Sequence, residues 1–287
     1  MDLSEVRKNI DRVDGEIRKL FMERMILADQ VACIKAQTED AIYKPDREED
    51  IIRHQTAGVK PELKKEYTAL IKRIMEVSRK YQYGRTIELR DCFPFTYLTE
   101  AKPIGRLAMV KEELYLCDTC SKDSVLTVDS CEEIADCIKN GQADAGMVII
   151  EEVGVGVSDE LHNLLWKNKL YITNCVIQEE KGIRRKVVTF KDALTVLPSH
   201  NRIKIMFECP NRSGSISSIL SMISDYAVNL TEIHSRPFER EDGWNYMFFV
   251  EMNANMDTKE IRALLFQLSQ ETSRMHILGS YFCEGDF

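Results

Sequence analysis

Apolar residues at Leu3, Val6, Ile10, Val13, Ile17, Leu20, Ile26 or Leu27, Val31 and Ile34 step by three and four along the start of the chain. That period predicts one amphipathic helix. Asp2 or Ser4 can cap it, and apart from Gly15 neither glycine nor proline interrupts it before the polar stretch 37–40. A helix of that span is about 50 Å long, longer than a small domain is wide. It therefore needs a partner along its length, which an intertwined dimer supplies.

The pattern stays helical to about residue 88. Pro45, with acidic residues after it, suits a first helical turn. Pro61 and Glu62 open a third helix through Tyr67, Leu70, Ile71, Ile74, Met75 and Val77 to about Tyr83, where Gly84 is expected to end it. Beyond 88 the character changes. Short apolar runs at 107–110, 114–117 and 125–128 read as strands, and Ser130 with Glu133 forms a capping box for a helix that stops before Gly141. A buried strand at 145–150, a helix at 158–166 and a strand at 170–178 follow, and the charged stretch 179–199 reads as a linker. The remainder gives strand 203–209, helix 213–226, strands 229–237 and 246–253, helix 258–270 and strand 276–283, a ferredoxin-like βαββαβ order. The expected fold class is multi-domain α and α+β, with a helical domain 1–88, a small α/β domain 89–198 and a ferredoxin-like domain 199–287.

With 287 residues, 44% hydrophobic and 30% charged, the chain has room for two or three soluble domains. A formal charge of -8 argues against nucleic acid or an anionic membrane as the main partner, so an anionic ligand must be captured by locally clustered cations. The start of the chain is charged and lacks an apolar leader core, and no run of about 18 apolar residues follows, so a cytoplasmic protein is expected. Nine dispersed cysteines fit reduced thiols better than a disulfide framework. Cys117 and Cys120 form a CxxC, but Cys131 and Cys137 have poor spacing for zinc, so buried thiols are expected rather than a metal centre.

The chemistry concentrates in the helical region. On one helix Arg24 and Lys35 lie about 16 Å apart and within about 20° of the same face, so two long cationic side chains leaning together can clamp one small anion. Arg7 is about 25 Å from Arg24 and about 100° round the cylinder, so it can serve that ligand only from a second chain. The same pattern also fits a plain coiled-coil arm with its cations on the solvated face. Arg47, Glu48, and the i, i+4 pair Ser78 and Gln82 complete a set suited to a small dicarboxylate that also carries a hydroxyl. Proton transfer is not suggested, because the set holds neither histidine nor paired carboxylates.

These residues carry a resemblance. Val6-Arg7, Glu23-Arg24, Lys35, Pro45-Asp46-Arg47-Glu48 and Ser78 with Gln82 make residues 1–88 similar to the all-helical class of chorismate mutases. The resemblance implies that Arg7 of the partner subunit, Arg24, Lys35, Arg47, Glu48, Ser78 and Gln82 bind chorismate and no cofactor. It further implies that Lys35 and Gln82 donate to the breaking ether oxygen, that Arg24 and Arg7 each pair with a carboxylate, assisted by Arg47 and Ser78, and that Glu48 accepts the ring hydroxyl. Rearrangement to prephenate is pericyclic, so it needs a compact conformer and charge stabilisation rather than a nucleophile or acid. Lys44 departs from those members that have an acidic residue there.

The last segment resembles ACT-type amino-acid-sensing domains of the kind attached to prephenate dehydratases. Pro210 to Ile216 stands where that family has a Gly-Ala-Leu turn, Ile233-His234-Ser235-Arg236-Pro237 where it has Glu-Ser-Arg-Pro, and Leu278-Gly279-Ser280-Tyr281 matches its ending. The implied effector is L-phenylalanine, held by Gly214, Ser215, Ile216, His234, Ser235, Arg236 and Pro237. A glycine at a strand-to-helix turn exposes backbone donors to a carboxylate. His234 and Ser215 replace an acidic residue and an alanine, and a domain used only for pairing remains the alternative.

The middle segment resembles prephenate dehydratase in part, through Cys131 to Gly141 and Ala143 to Glu152. Where that family reads Pro-Ile-Glu-Asn-Ser this chain has Ile149, Ile150, Glu151, Glu152 and Val153, and Val188-Thr189-Phe190 stands in place of Thr-Arg-Phe. The expectation is a member of the bifunctional chorismate mutase/prephenate dehydratase (P-protein) family with an inactive dehydratase remnant, forming a homodimer or a higher oligomer. The alternatives are a fully bifunctional enzyme releasing phenylpyruvate and a non-catalytic dimeric amino-acid sensor. A dimer arm alone has no need of Gln82 or Glu48.

Overall fold

The computed structural model describes residues 2–117, 124–212, 214–240 and 243–285. Cys120 and Ser213 lie outside them. The chain divides into a helical unit, residues 1–93 with Ala263–Glu271, and a sheet unit made of the rest.

In the helical unit α1 (Leu3–Thr38) is continuous, capped by Asp2, whose Oδ1 accepts from Glu5 N at 2.8 Å. α2 (Pro45–Thr56) has its proline at the first turn, and a 3-10 turn at Pro61–Leu63 leads into α3 (Lys64–Leu89). Both α1 and α2 pack on α3. Within a single chain the apolar stripe of α1 stays largely uncovered: Leu20 is 65% exposed and Ile26 62%, while Ala28 and Ala32 are buried. Gly84 does not end α3, contrary to its reading as a stop. Arg85 Nε donates to Asp29 Oδ1 at 2.9 Å, and Tyr83 meets Phe266 edge-on at 5.4 Å. Tertiary contacts on both sides of the glycine outweigh its cost of about 1 kcal/mol in a helix.

The sheet unit holds β1 (Leu107–Val110), β2 (Val125–Val128), α4 (Cys131–Lys139), β3 (Ala145–Glu152), β4 (Gly156–Val157), α5 (Asp159–Asn168), β5 (Tyr171–Glu180) and β6 (Ile183–Lys191). There follow β7 (Arg202–Pro210), α6 (Ser215–Asp225), β8 (Asn229–Arg240), β9 (Gly243–Asn253), α7 (Lys259–Glu271, whose residues from Ala263 onward cluster with the helical unit) and β10 (Ser273–Tyr281). One ten-stranded sheet has the order β2-β1-β3-β6-β5-β10-β7-β9-β8, with β4 beside β3. Its last four strands are antiparallel in the order β10-β7-β9-β8, the arrangement expected of a ferredoxin-like βαββαβ segment.

Two expectations fail here. Residues 114–117 fall at the end of a 3-10 helix, Lys111–Leu116, rather than forming a strand. β1 and β2 are parallel, so they do not form a hairpin with a third strand at 114–117 between them. The presumed linker 179–199 contains β6, paired with both β3 and β5. Lys181 and Gly182 both have positive φ, 54° and 77°, which gives the two-residue turn whose twist suits a hairpin.

Close approaches explain two glycines. A Cβ at Gly146 would stand 2.4 Å from Ile134 Cγ2 and 2.6 Å from Phe190 Cζ. One at Gly279 would stand 2.4 Å from the Ile172 carbonyl oxygen, at the pair that joins β10 to β5. Cys131, Cys137, Cys175, Cys209 and Cys283 are free thiols in this unit, whereas Cys117 is disulfide-bonded, a departure from the expected reduced state. Among the described residues no helix is long and apolar enough to cross a membrane.

Candidate active site

Three helices assemble the site. Arg24 and Lys35 project from α1, Glu48 from the first turn of α2, and Ser78 and Gln82 from α3. Arg24 donates through Nη1 to Ser78 Oγ. Lys35 Nζ donates to the carbonyl oxygens of Ala41 and Ile42 at 2.8 and 2.9 Å. Among the described residues both cations thus donate to neutral acceptors and pair with no carboxylate.

Their electrostatics follow from that. Burial lowers the Arg24 pKa, and Glu48 partly offsets it. Burial also lowers Lys35, with Asp40 and Glu48 pulling upward and Lys44 downward. Arg24, Lys35 and Lys44 outnumber the carboxylates of Asp40 and Glu48 that act on them, so the local charge of this group is net positive. Beside them Gln82 Oε1 is buried with no hydrogen-bond partner among the described residues. Because the two ends of a glutamine amide interchange by a flip, this side chain offers a ligand either a donor or an acceptor.

Not every expected residue joins. Arg47 is exposed one position before Glu48, and Arg7 is exposed near the start of α1; among the described residues neither makes a hydrogen bond or ion pair. Arg7 remains about 25 Å along the helix from Arg24. Three residues outside the expected set join instead. Arg79 donates through Nη1 to Glu48 and through Nε to Glu271 Oε1 at 3.0 Å, and its guanidinium lies 4.8 Å from the centre of the Tyr43 ring. A signal for Arg79 was present: it lies between Met75 and Tyr83 on a buried i±4 row, where a charge persists only if paired.

The expected effector residues fall on two elements. Gly214, with φ 87°, caps the start of α6, and Ser215 and Ile216 form its first turn. His234 to Pro237 lie on β8, whose register through β9 aligns Pro237 with Cys209, two strand spacings or about 10 Å away. The side chains of β8 then divide. His234 Nε2 meets Asp159 Oδ1 at 2.6 Å and Arg236 Nε lies 3.5 Å from Asp159 Oδ2, whereas Ser235 and Pro237 alternate to the other face and are exposed. In the stretch standing where dehydratases have their Glu-Asn-Ser, Glu152 is held by Arg185 Nε at 2.6 Å.

Comparison with known proteins agrees with this layout. Residues 6–83 match the chorismate mutase type II family and residues 203–270 the ACT domain family. The bifunctional chorismate mutase/prephenate dehydratase of Aquifex aeolicus is 20% identical in an alignment covering 98% of each chain. That alignment spans 357 positions against 287 residues here, so the relative carries segments this chain lacks. In fold, the chain is similar to prephenate dehydratase from Streptococcus mutans, with TM-score 0.50, 18% identity, and coverage of 63% of this chain and 100% of that one. A similar likeness extends to a chain described as a novel type of quorum quenching acylase, with TM-score 0.53, 18% identity, and coverage of 61% and 94%. Two family matches near the ends of the chain, a relative aligned along nearly all of it and a prephenate dehydratase-like fold over 63% of it make this protein similar to the bifunctional chorismate mutase/prephenate dehydratases.

Proposed function

We propose that the chain converts chorismate to prephenate in the biosynthesis of aromatic amino acids, as a homodimer in which Arg7 of each subunit completes the other's site. The observation that carries this reading is the pair of half-buried cations, Arg24 and Lys35, held by neutral acceptors beside a buried, unpartnered Gln82 oxygen. A dianion compensates both charges. Lys35 and Gln82 then donate to the ether oxygen as its bond breaks, where preorganised donors stabilise developing charge most. Arg24 and the partner subunit's Arg7 fix the carboxylates, with Arg47 and Ser78 assisting, and Glu48 accepts the ring hydroxyl. The uncovered stripe of α1 supports the dimer, since a second copy would bury it.

The middle segment we read as a dehydratase remnant without activity. The family's Asn-Ser is replaced by Glu152-Val153, and Glu152 is already engaged by Arg185. The ACT domain is read as a phenylalanine-responsive module, with the backbone donors at Gly214 to Ile216 as its carboxylate contact. Incubation of the full chain with chorismate, with and without phenylalanine, tests all three parts. Prephenate should accumulate, its formation should respond to phenylalanine, and phenylpyruvate should be absent. Unchanged chorismate would refute the mutase assignment, and steady phenylpyruvate release from prephenate would refute the remnant.

A further inference from the structure

Glu48 is not free to choose its partner. Arg79 Nη1 donates to its Oε1, while Arg79 Nε donates to Glu271 Oε1 at 3.0 Å, and Gln267 Nε2 donates to that same Glu271 oxygen at 3.1 Å. The side chains of Arg79 and Glu271 are 7% and 2% exposed, and that of Glu48 is 22% exposed. The guanidinium also rests 4.8 Å from the centre of the Tyr43 ring. An arginine so placed is a fixed bracket, because its planar fork has one carboxylate on each edge and an aromatic ring alongside. Burial opposes its charge, but Glu271 and Glu48 together hold its pKa above the ordinary value.

The competing partners of Glu48 are the substrate cations themselves. Glu48 lies close enough to Arg24 and Lys35 to raise the pKa of each, yet both donate to neutral groups instead. A carboxylate released from Arg79 would gain by turning to either cation, because an ion pair in a partly buried site is stronger than a bond to a neutral acceptor. That collapse would neutralise the charge a dicarboxylate needs. We propose that Arg79, braced by Glu271, is a positioning residue that anchors Glu48 away from Arg24 and Lys35 and so keeps both cations open to the substrate. The anchor uses one oxygen of Glu48 and leaves Oε2 as the acceptor for a ligand hydroxyl.

This inference rests on the mutase reading, and a double-mutant cycle in the full chain separates the two. Arg79→Leu should lower kcat/KM for chorismate at least about tenfold, mainly by raising KM, since the collapsed carboxylate competes with substrate binding. In a Glu48→Gln background, where no charge remains to collapse, the same substitution should cost no more than about twofold. Arg79→Lys should recover part of the loss, and Glu271→Gln should give a smaller loss that also vanishes with Glu48→Gln. If Arg79→Leu does not fold, Arg79→Lys and Glu271→Gln are compared in the same two backgrounds. Equal losses in both backgrounds would show Arg79 to be merely structural and overturn its role alone. No turnover by the unmodified chain would overturn the mutase reading and this inference with it.

Discussion

Two clusters of charge in this molecule are built to opposite ends. In the helical unit Arg24 and Lys35 are half-buried yet spend their donors on a hydroxyl and two carbonyls. In the sheet unit Lys186 meets Glu251 at 2.6 Å, Lys204 meets Glu232 at 2.7 Å, and Tyr281 Oη donates to Glu251, all from deeply buried side chains. Burial alone would raise Glu251, but Lys204 and Lys186 outweigh it and hold the carboxyl at about 2. The second cluster is closed, with each charge answered inside the fold. The first is open, because Arg24 and Lys35 are left without a carboxylate partner among the described residues.

The comparison can be broken by removing one charge from each cluster. Glu251→Ala strands buried lysines and should cost about 3–5 kcal/mol of stability in chemical denaturation, while turnover per folded molecule is preserved. A cost below about 1 kcal/mol would mean the closed cluster is not structural. Its pH dependence has a definite sign. A carboxyl held below its unfolded pKa contributes stability that is fully present above the ordinary range near 4.5 and is lost as pH falls toward about 2. Unfolding followed through that window should therefore show the loss in the unmodified chain and much less of it in Glu251→Ala.

Lys35→Ala tests the open cluster. Turnover of chorismate should fall at least about a hundredfold, the loss of one preorganised donor, with little change in unfolding. Near-normal turnover would remove Lys35 from its role. A smaller signal comes from mixing two inactive variants. If Arg7 acts across the dimer, subunits carrying Arg7→Ala and subunits carrying Lys35→Ala should form hybrids with one intact site, restoring roughly a quarter of unmodified activity at equal mixing. Failure to recover any activity while hybrids form would place Arg7 outside the partner's site. Ser78→Ala should have the smallest effect, a few-fold loss in kcat/KM, because it deletes a single hydroxyl acceptor of Arg24.

Much of the fold was readable from pattern, and its exceptions share a cause. β1, β2, α4 and β3 emerge where short apolar runs and the Ser130 cap predict them, since local hydrophobic period and capping act within a few residues. β6 was hidden because Arg184, Arg185 and Lys186 give its first half the look of a solvated linker. Lys186 is in fact buried, and only its distant partner Glu251 makes that affordable. Gly84 misled in the opposite direction, as a helix stop that packing overrides. Spacing fixes faces only within a helix, so the pairs Arg24 with Lys35 and Ser78 with Gln82 were legible as sharing a face, while the approach of one helix to another was not. Arg79 was not singled out, because its meaning depends on Glu271, 192 residues away.

The sequence by itself determined the helices and which cationic residues share a face of each, because rise and turn per residue are set by the backbone. Only the tertiary structure decided which charges are closed and which are open. That decision rests on the distance between groups far apart in the chain, here the carboxylates of Glu48, Glu251 and Glu271 and the cations they answer or leave unanswered.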